Sequence, residues 1–283
     1  MEEKIHQLIK DRNPWLLKDS FLSKIIYNLL KKYLRFGETV FVGDHIQSMT
    51  GEEAFNWLGG EYTSNSSVEG LENIPKDGKF LIVSNHPMGA ADAIALYHKI
   101  YPVRNDLFFF ANELFVYLLG AFHELLAPVV WNKEKETHSA NKVTLERLSV
   151  FFGDDRPGII FPSGRLSKLT FFGLWDRPWE KTPIALAKKY NFPLIPVYVE
   201  GRNSWFFYFA SYVNKQLRDI SQLNELFNKR DKKMSIKIGK PVNINTLSDN
   251  ADIAIEQMRY KSESLRKKSV LKLNRFLYLR NFR

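Results

Sequence analysis

Four short stretches of this chain are almost wholly apolar: Phe80-Leu81-Ile82-Val83, Leu107–Phe110, Gly158-Ile159-Ile160-Phe161 and Leu194-Ile195-Pro196-Val197-Tyr198-Val199. Each is too short for a helix and reads as a buried strand. Segments of helical character lie between them, over Ala93 to about Ile100, Asn141–Phe152 and Pro183–Tyr190. Strands alternating with helices specify an α/β domain with a mixed, largely parallel sheet flanked by helices. Further strands are expected at Glu38–Val42, Tyr62–Glu69 and Val129–Trp131, with an alternating edge strand at Met234–Ile238. Further helices are expected at Gly51–Leu58, Glu113–Leu126, Lys215–Asn228 and Asp249 to about Lys268, and Leu71–Gly78 reads as a turn.

The chemistry concentrates where the first apolar run ends. Asn85-His86-Pro87-Met88-Gly89-Ala90-Ala91-Asp92 reads as a tight turn entering a helix, with His86 and Asp92 six positions apart. A carboxylate beside a histidine fixes the imidazole tautomer and stabilises the imidazolium, which makes the pair a general base. No Gly-x-Ser-x-Gly segment occurs in the chain. A base without its own nucleophile acts on a hydroxyl of the substrate. Pro162-Ser163-Gly164-Arg165 follows another strand. Ligands of such sheets collect beyond the carboxyl ends of the strands, so both turns point to one site.

The 283 residues carry a net charge of +10 and include no cysteine. Disulfides and thiolate chemistry are thereby excluded, and the charge favours anionic partners. Scattered basic residues without a recognition motif argue against nucleic acid. Phe21, Leu22, Ile25, Ile26, Leu29, Leu30 and Tyr33 recur at helical spacing among Lys24, Lys31, Lys32 and Arg35, a pattern that suits a membrane surface. Neither a secretory leader nor an uncharged run long enough to span a bilayer is evident. Residues 1–60 are therefore expected to form an amphipathic helical, membrane-associating region, and residues 61–283 the catalytic domain.

Three segments in order, Asn85–Asp92, Phe161-Pro162-Ser163-Gly164-Arg165-Leu166-Ser167 and Pro193–Val199 continuing to Ser204, resemble the glycerolipid acyltransferases (PlsC-like, lysophosphatidate acyltransferase-like). The Asn-His-Pro-x-Gly turn is most similar to a bacterial branch sometimes labelled hemolysin-like. The resemblance implies transfer of a fatty acyl group from acyl-CoA or acyl-carrier protein, as donor substrate, to the hydroxyl of a lyso-lipid, with no metal or cofactor. His86 and Asp92 take the catalytic positions, and Ser163 stands at the place near the acceptor; beside it Gly164 would let the backbone come close, and Arg165 is the candidate for an anionic head group or the donor's phosphates. Arg202, just past a strand, is a second basic candidate for an anionic head group. The implied place of work is the cytoplasmic face of the inner membrane, peripheral or monotopic, against an anionic surface.

The chain departs from the family pattern in several places. Five residues separate His86 from Asp92 where the main family has four, Ser163 stands where it usually has Glu, Arg165-Leu166 stand where it has Thr-Arg, and its second motif corresponds only loosely to Val129–Lys133. The acceptor is thus either lysophosphatidic acid or a lyso-aminolipid of the ornithine or glycine type. Plainer readings stand beside these: Ser163 as a turn residue, Arg165 paired with a surface carboxylate, Arg202 as a loop stabiliser. Other activities compatible with the residues are hydrolysis, with the dyad activating water, and non-catalytic membrane binding.

Overall fold

The computed structural model describes residues 2–12, 14–112, 120–129, 138–170, 173–213 and 215–266. Its helices are α1 (Glu2–Arg12), α2 (Phe21–Tyr33), α3 (Phe36–Ile46), α4 (Gly51–Thr63), α5 (Ala90–Ile100), α6 (His138–Gly153), α7 (Thr182–Tyr190), α8 (Trp205–Val213), α9 (Lys215–Phe227) and α10 (Ala251–Glu263). The strands are β1 (Ser66–Glu69), β2 (Leu81–Ser84), β3 (Phe108–Asn112), β4 (Leu126–Val129), β5 (Gly158–Ile160), β6 (Lys168–Thr170), β7 (Gly173–Trp175), β8 (Leu194–Glu200) and β9 (Met234–Ile238). Seven form one sheet in the order β1-β9-β8-β2-β5-β3-β4, while β6 and β7 form a separate antiparallel pair. The five strands from β8 to β4 are parallel, β9 runs antiparallel to β8, and β1 is parallel to β9. The sheet is therefore mixed and largely parallel, as the alternation of elements predicts.

Successive strand side chains enter opposite cores because they alternate across the pleat. Phe80, Ile82, Ile159 and Ile195 pack on one side with Phe55, Leu58, Ala95 and Leu96 of α4 and α5. Leu81, Val83, Ile160 and Leu194 pack on the other with Phe152, Ile184, Ile255 and Met258 of α6, α7 and α10. Burial on both faces explains why these runs lack polar residues, and each buried Leu, Ile or Val stabilises the fold by about 1.5–3 kcal/mol. Leu81 of β2 stands opposite both Gly158 and Leu194. A Cβ at Gly158 would lie 2.8 Å from the Phe108 ring and 2.9 Å from Leu81, so only glycine fits there.

The N-terminal helices have a separate small core of Ile5, Ile9, Leu16, Leu30 and Leu34. α4 instead belongs to the main core through Ala54, Phe55, Leu58 and Tyr62, so residue 60 falls inside a helix that packs on the sheet. A reciprocal cap starts α4: Glu53 N donates to Thr50 Oγ1 at 3.2 Å and Thr50 N to Glu53 Oε2 at 2.9 Å.

Several boundaries depart from the sequence reading. Glu38–Val42 is helical, within α3, although its β-branched residues suggest a strand. Thr39 Oγ1 bonds back to the Leu34 and Arg35 carbonyls, and Val42 and Ile46, one turn apart, bury into the core. Packing outweighs the small propensity difference. Tyr62 and Thr63 end α4, and the strand there begins only at Ser66. β9 is interior, lying between β1 and β8. Its alternation reflects one half-exposed face, where Ser235 and Lys237 sit, and not an edge position. Of the helix expected over Glu113–Leu126, residues 113–119 lie outside the described residues, Gly120–Leu125 is a 3₁₀ segment and Leu126 opens β4. The expected strand Val129–Trp131 begins earlier, at Leu126, and Val130 and Trp131 lie outside the described residues.

Candidate active site

β8, β2 and β5 are adjacent and parallel, so the segments that follow them meet at one end of the sheet. These are Gly201–Ser204, Asn85–Gly89 and Phe161–Ser167, the three stretches singled out in the sequence. Asn85 locks the first two together. Its Nδ2 donates to Val199 O at 2.9 Å, and its Oδ1 accepts from Val199 N at 2.7 Å. The third is tied on by Ser167 N, which donates to His86 O at 2.8 Å.

His86 Nδ1 lies 3.0 Å from Asp92 Oδ2. The same oxygen accepts from Met88 N at 2.9 Å and Gly89 N at 3.1 Å. Asp92 is fully buried, whereas the His86 side chain is 19% exposed and stacks on Phe161 with centroids 4.1 Å apart. The turn between His86 and Asp92 thus wraps around Oδ2. Gly89 makes this possible with φ +85° and ψ −132°, a conformation that strains an L side chain. Asp92 sits in the first turn of α5, where backbone N–H groups point outward. Among the described residues His86 Nε2 makes no hydrogen bond, so Nδ1 is anchored and Nε2 is available to exchange a proton.

The serines around this turn are otherwise engaged. Ser84 Oγ donates to Asn85 O at 3.0 Å, Ser163 Oγ to Arg165 O at 2.8 Å, and Ser167 Oγ to Asp176 Oδ1 at 3.0 Å. Ser163 and Gly164, the latter at φ +58°, thus build a tight turn. Arg165 is exposed and makes no ion pair among the described residues. A cavity of about 320 Å³ opens beside the His86 turn, lined by Asn85, Pro87, Ser167, Asp176, Arg202 and Arg266 among others. Arg202 borders it, and Ser163, Gly164 and Arg165 do not.

A family model of acyltransferases matches residues 52–276. The chain belongs to that family. It is 32% identical over 182 residues to the lyso-glycine lipid O-acyltransferase of Phocaeicola vulgatus, a match covering 62% of this chain and 63% of that protein. The chain therefore spans a little under two thirds of that relative's length. It is 27% identical over 245 residues to the lyso-glycine lipid O-acyltransferase of Bacteroides thetaiotaomicron, covering 84% and 87%. Among solved structures, the 1-acyl-sn-glycerophosphate (LPA) acyltransferase PlsC from Thermotoga maritima aligns with 89% of this chain and 97% of that one, at 23% identity and a TM-score of 0.48.

Sequence reading missed two features of this acyltransferase. Asp176 is held by Trp179 Nε1 at 2.7 Å and Ser167 Oγ, and its burial raises its pKa. Nothing in Trp175-Asp176-Arg177-Pro178-Trp179 distinguishes it from a surface turn. The other feature is a buried pair behind the Gly201–Ser204 loop. Lys229 Nζ contacts Glu225 Oε2 at 3.1 Å and Asn203 Oδ1 at 2.9 Å, while Glu225 accepts from Ser204 N at 2.8 Å. Burial lowers the Lys229 pKa against the opposing pull of Glu225. The four-residue spacing on a helical stretch is a visible signal of pairing, though not of burial.

Proposed function

We propose that this acyltransferase moves a fatty acyl group from a thioester, acyl-CoA or acyl-carrier protein, directly to the hydroxyl of a lyso-lipid. His86 Nε2 takes the hydroxyl proton as the oxygen attacks the thioester carbonyl, and Asp92 orients the ring and stabilises the imidazolium. The tetrahedral intermediate expels the thiolate, which takes the proton back from His86. The observation that carries this reading is the free Nε2 of an Asp92-anchored His86, with every neighbouring serine hydroxyl donated elsewhere. No acyl-enzyme forms on these residues. The named relatives favour an acceptor with an amino-acid head, a lyso-glycine lipid or its kin, over lysophosphatidic acid.

The lipid is reached from the membrane surface. No helix among the described residues is long and apolar enough to cross a bilayer. α2 nevertheless exposes Phe21 (83%), Leu22 and Leu29, and α8 exposes Trp205 (70%), Phe209 and Tyr212. The two helices are joined by Tyr33 against Phe206, ring centroids 4.2 Å apart. The aromatic and leucine side chains enter the interface, and Lys31 and Lys32 attract anionic lipid at about 1 kcal/mol each, whereas Lys24 and Arg35 are paired with Asp19 and Glu38. The side of the membrane follows from the donor, which is made in the cytoplasm.

The test supplies purified enzyme with radiolabelled acyl-CoA and an N-(3-hydroxyacyl)glycine. Diacylated product that requires both substrates supports transfer. Release of free fatty acid at the same rate without acceptor identifies a hydrolase instead.

A further inference from the structure

We propose that the cavity beside the His86 turn is the acceptor's head-group pocket, built for an amino-acid head, with Arg202 and Arg266 holding its carboxylate and Glu200 facing its N–H. This deepens the acceptor reading above and rests on it. Asn85 and Pro87, on either side of His86, form part of the cavity wall. An occupant there lies next to the catalytic turn. In an N-(3-hydroxyacyl) amino acid the reacting hydroxyl and the carboxylate are separated by about 6–7 Å of extended chain. A head bound in the cavity therefore leaves its hydroxyl near the turn. The volume, about 320 Å³, is at the small end for ligand pockets and suits a head group.

The charges decide which head. Arg202 and Arg266 both line the cavity, and neither makes an ion pair among the described residues. Arg202 Cζ lies 5.7 Å from the Trp205 ring centroid and Arg266 Cζ 6.0 Å from that of Tyr198, so each guanidinium has an aromatic neighbour. Among the described residues Arg266 Nε is buried without a hydrogen-bond partner. A planar fork with a vacant donor matches a carboxylate. The same wall carries Asp176, Glu200 and Glu263. Glu263 is paired with Arg259 at 3.0 Å, both Asp176 oxygens accept from Ser167 Oγ and Trp179 Nε1, and Glu200 is left to face the ligand. Glu200 beside the two arginines disfavours a phosphate dianion, which would meet like charge. The set suits a head that offers one carboxylate together with an N–H donor. Arg202 of the wall lies over Trp205, which begins the exposed aromatic face of α8, so a tail leaving the cavity past Arg202 runs onto that face.

The test is binding without turnover. N-dodecanoylglycine lacks the hydroxyl and cannot be acylated. It is titrated below its micellar concentration into the full chain, read by tryptophan fluorescence because Trp175 and Trp179 line the wall. Its carboxamide and dodecyl phosphate are the comparison ligands. N-dodecanoylglycine is expected to bind more tightly than either. Arg266→Met and Arg202→Gln each weaken it about 10- to 100-fold, the range for losing a charged hydrogen bond. Arg266→Lys falls in between, which separates lost charge from misfolding. Equal binding to wild type and both arginine variants overturns the pocket, as does phosphate binding as tightly as the glycine ligand. If lyso-glycine lipid is acylated yet these variants bind normally, the pocket assignment fails alone. If Arg266-dependent binding holds yet no glycine lipid is acylated, the acceptor reading fails and the pocket stands.

Discussion

Removing the Asn85 side chain tests how the site is built. In Asn85→Ala, Val199 N and Val199 O lose partners at 2.7 and 2.9 Å, both in a buried environment. An unpaired buried backbone group costs about 1–3 kcal/mol, so the pair costs about 2–5 kcal/mol. For a chain of this size that lowers Tm by roughly 5–15 °C. Asn85→Asp is no gentler, although it is nearly isosteric. A carboxylate still accepts from Val199 N but cannot donate to Val199 O, and it sets like partial charge against that carbonyl. The assay is thermal denaturation with acyl-transfer rates measured well below the variant's Tm. Because Asn85 immediately precedes His86 and pins the turn to β8, kcat should also fall at least tenfold in the folded protein. An Asp variant as stable and active as wild type, or an Ala variant within about 1 °C and twofold of it, would refute the clamp.

Three further outcomes follow from the same structure. Burial raises the Asp176 pKa, so between its ordinary value and the raised one the native state binds more proton than the unfolded chain. The stability this gives is present at low pH and is lost as pH climbs through the raised value. The Tm of Asp176→Asn minus that of wild type should therefore increase as pH rises above the ordinary carboxylate range, and a flat difference contradicts the assignment. Lys229→Met strands the fully buried Glu225 and should destabilise by about 3–5 kcal/mol in urea melts, with Lys229→Met/Glu225→Gln recovering most of the loss. A double variant no better than the single one would show that the pair is not coupled. Phe21→Glu and Trp205→Glu remove exposed apolar anchors and should cut co-sedimentation with anionic vesicles severalfold, leaving Tm nearly unchanged. Undiminished sedimentation of both would place the membrane contact elsewhere.

The parts of the fold legible in the sequence are those where burial is complete. β2, β5 and β8 are covered on both faces, so their apolar runs carry an unambiguous signal. The alternation with helices then implies a parallel sheet, and parallel neighbours bring the three motif turns to one end. What stayed hidden depends on contacts distant in the chain. α3 is helical because Val42 and Ile46 meet the core, which its β-branched residues do not announce. α8 is a run of aromatics, Trp205-Phe206-Phe207-Tyr208-Phe209, whose exposed face lacks the polar residues that mark an amphipathic helix. β9 alternates as an edge strand does, yet β1 covers its outer side. At the site, His86 and Asp92 were legible from type and spacing, whereas Asp176 and Arg266 reach the cavity only through folding. Ser163 and Gly164 were legible as residues of interest, and the geometry assigns them to a turn.

Direct transfer by His86 is tested most plainly by the steady-state rate of His86→Ala, at saturating donor and acceptor, in protein shown to be folded. Loss of the general base should lower kcat by about 10²–10⁴-fold, with substrate binding largely retained. A folded His86→Ala enzyme that keeps more than about a tenth of the wild-type rate would contradict the mechanism.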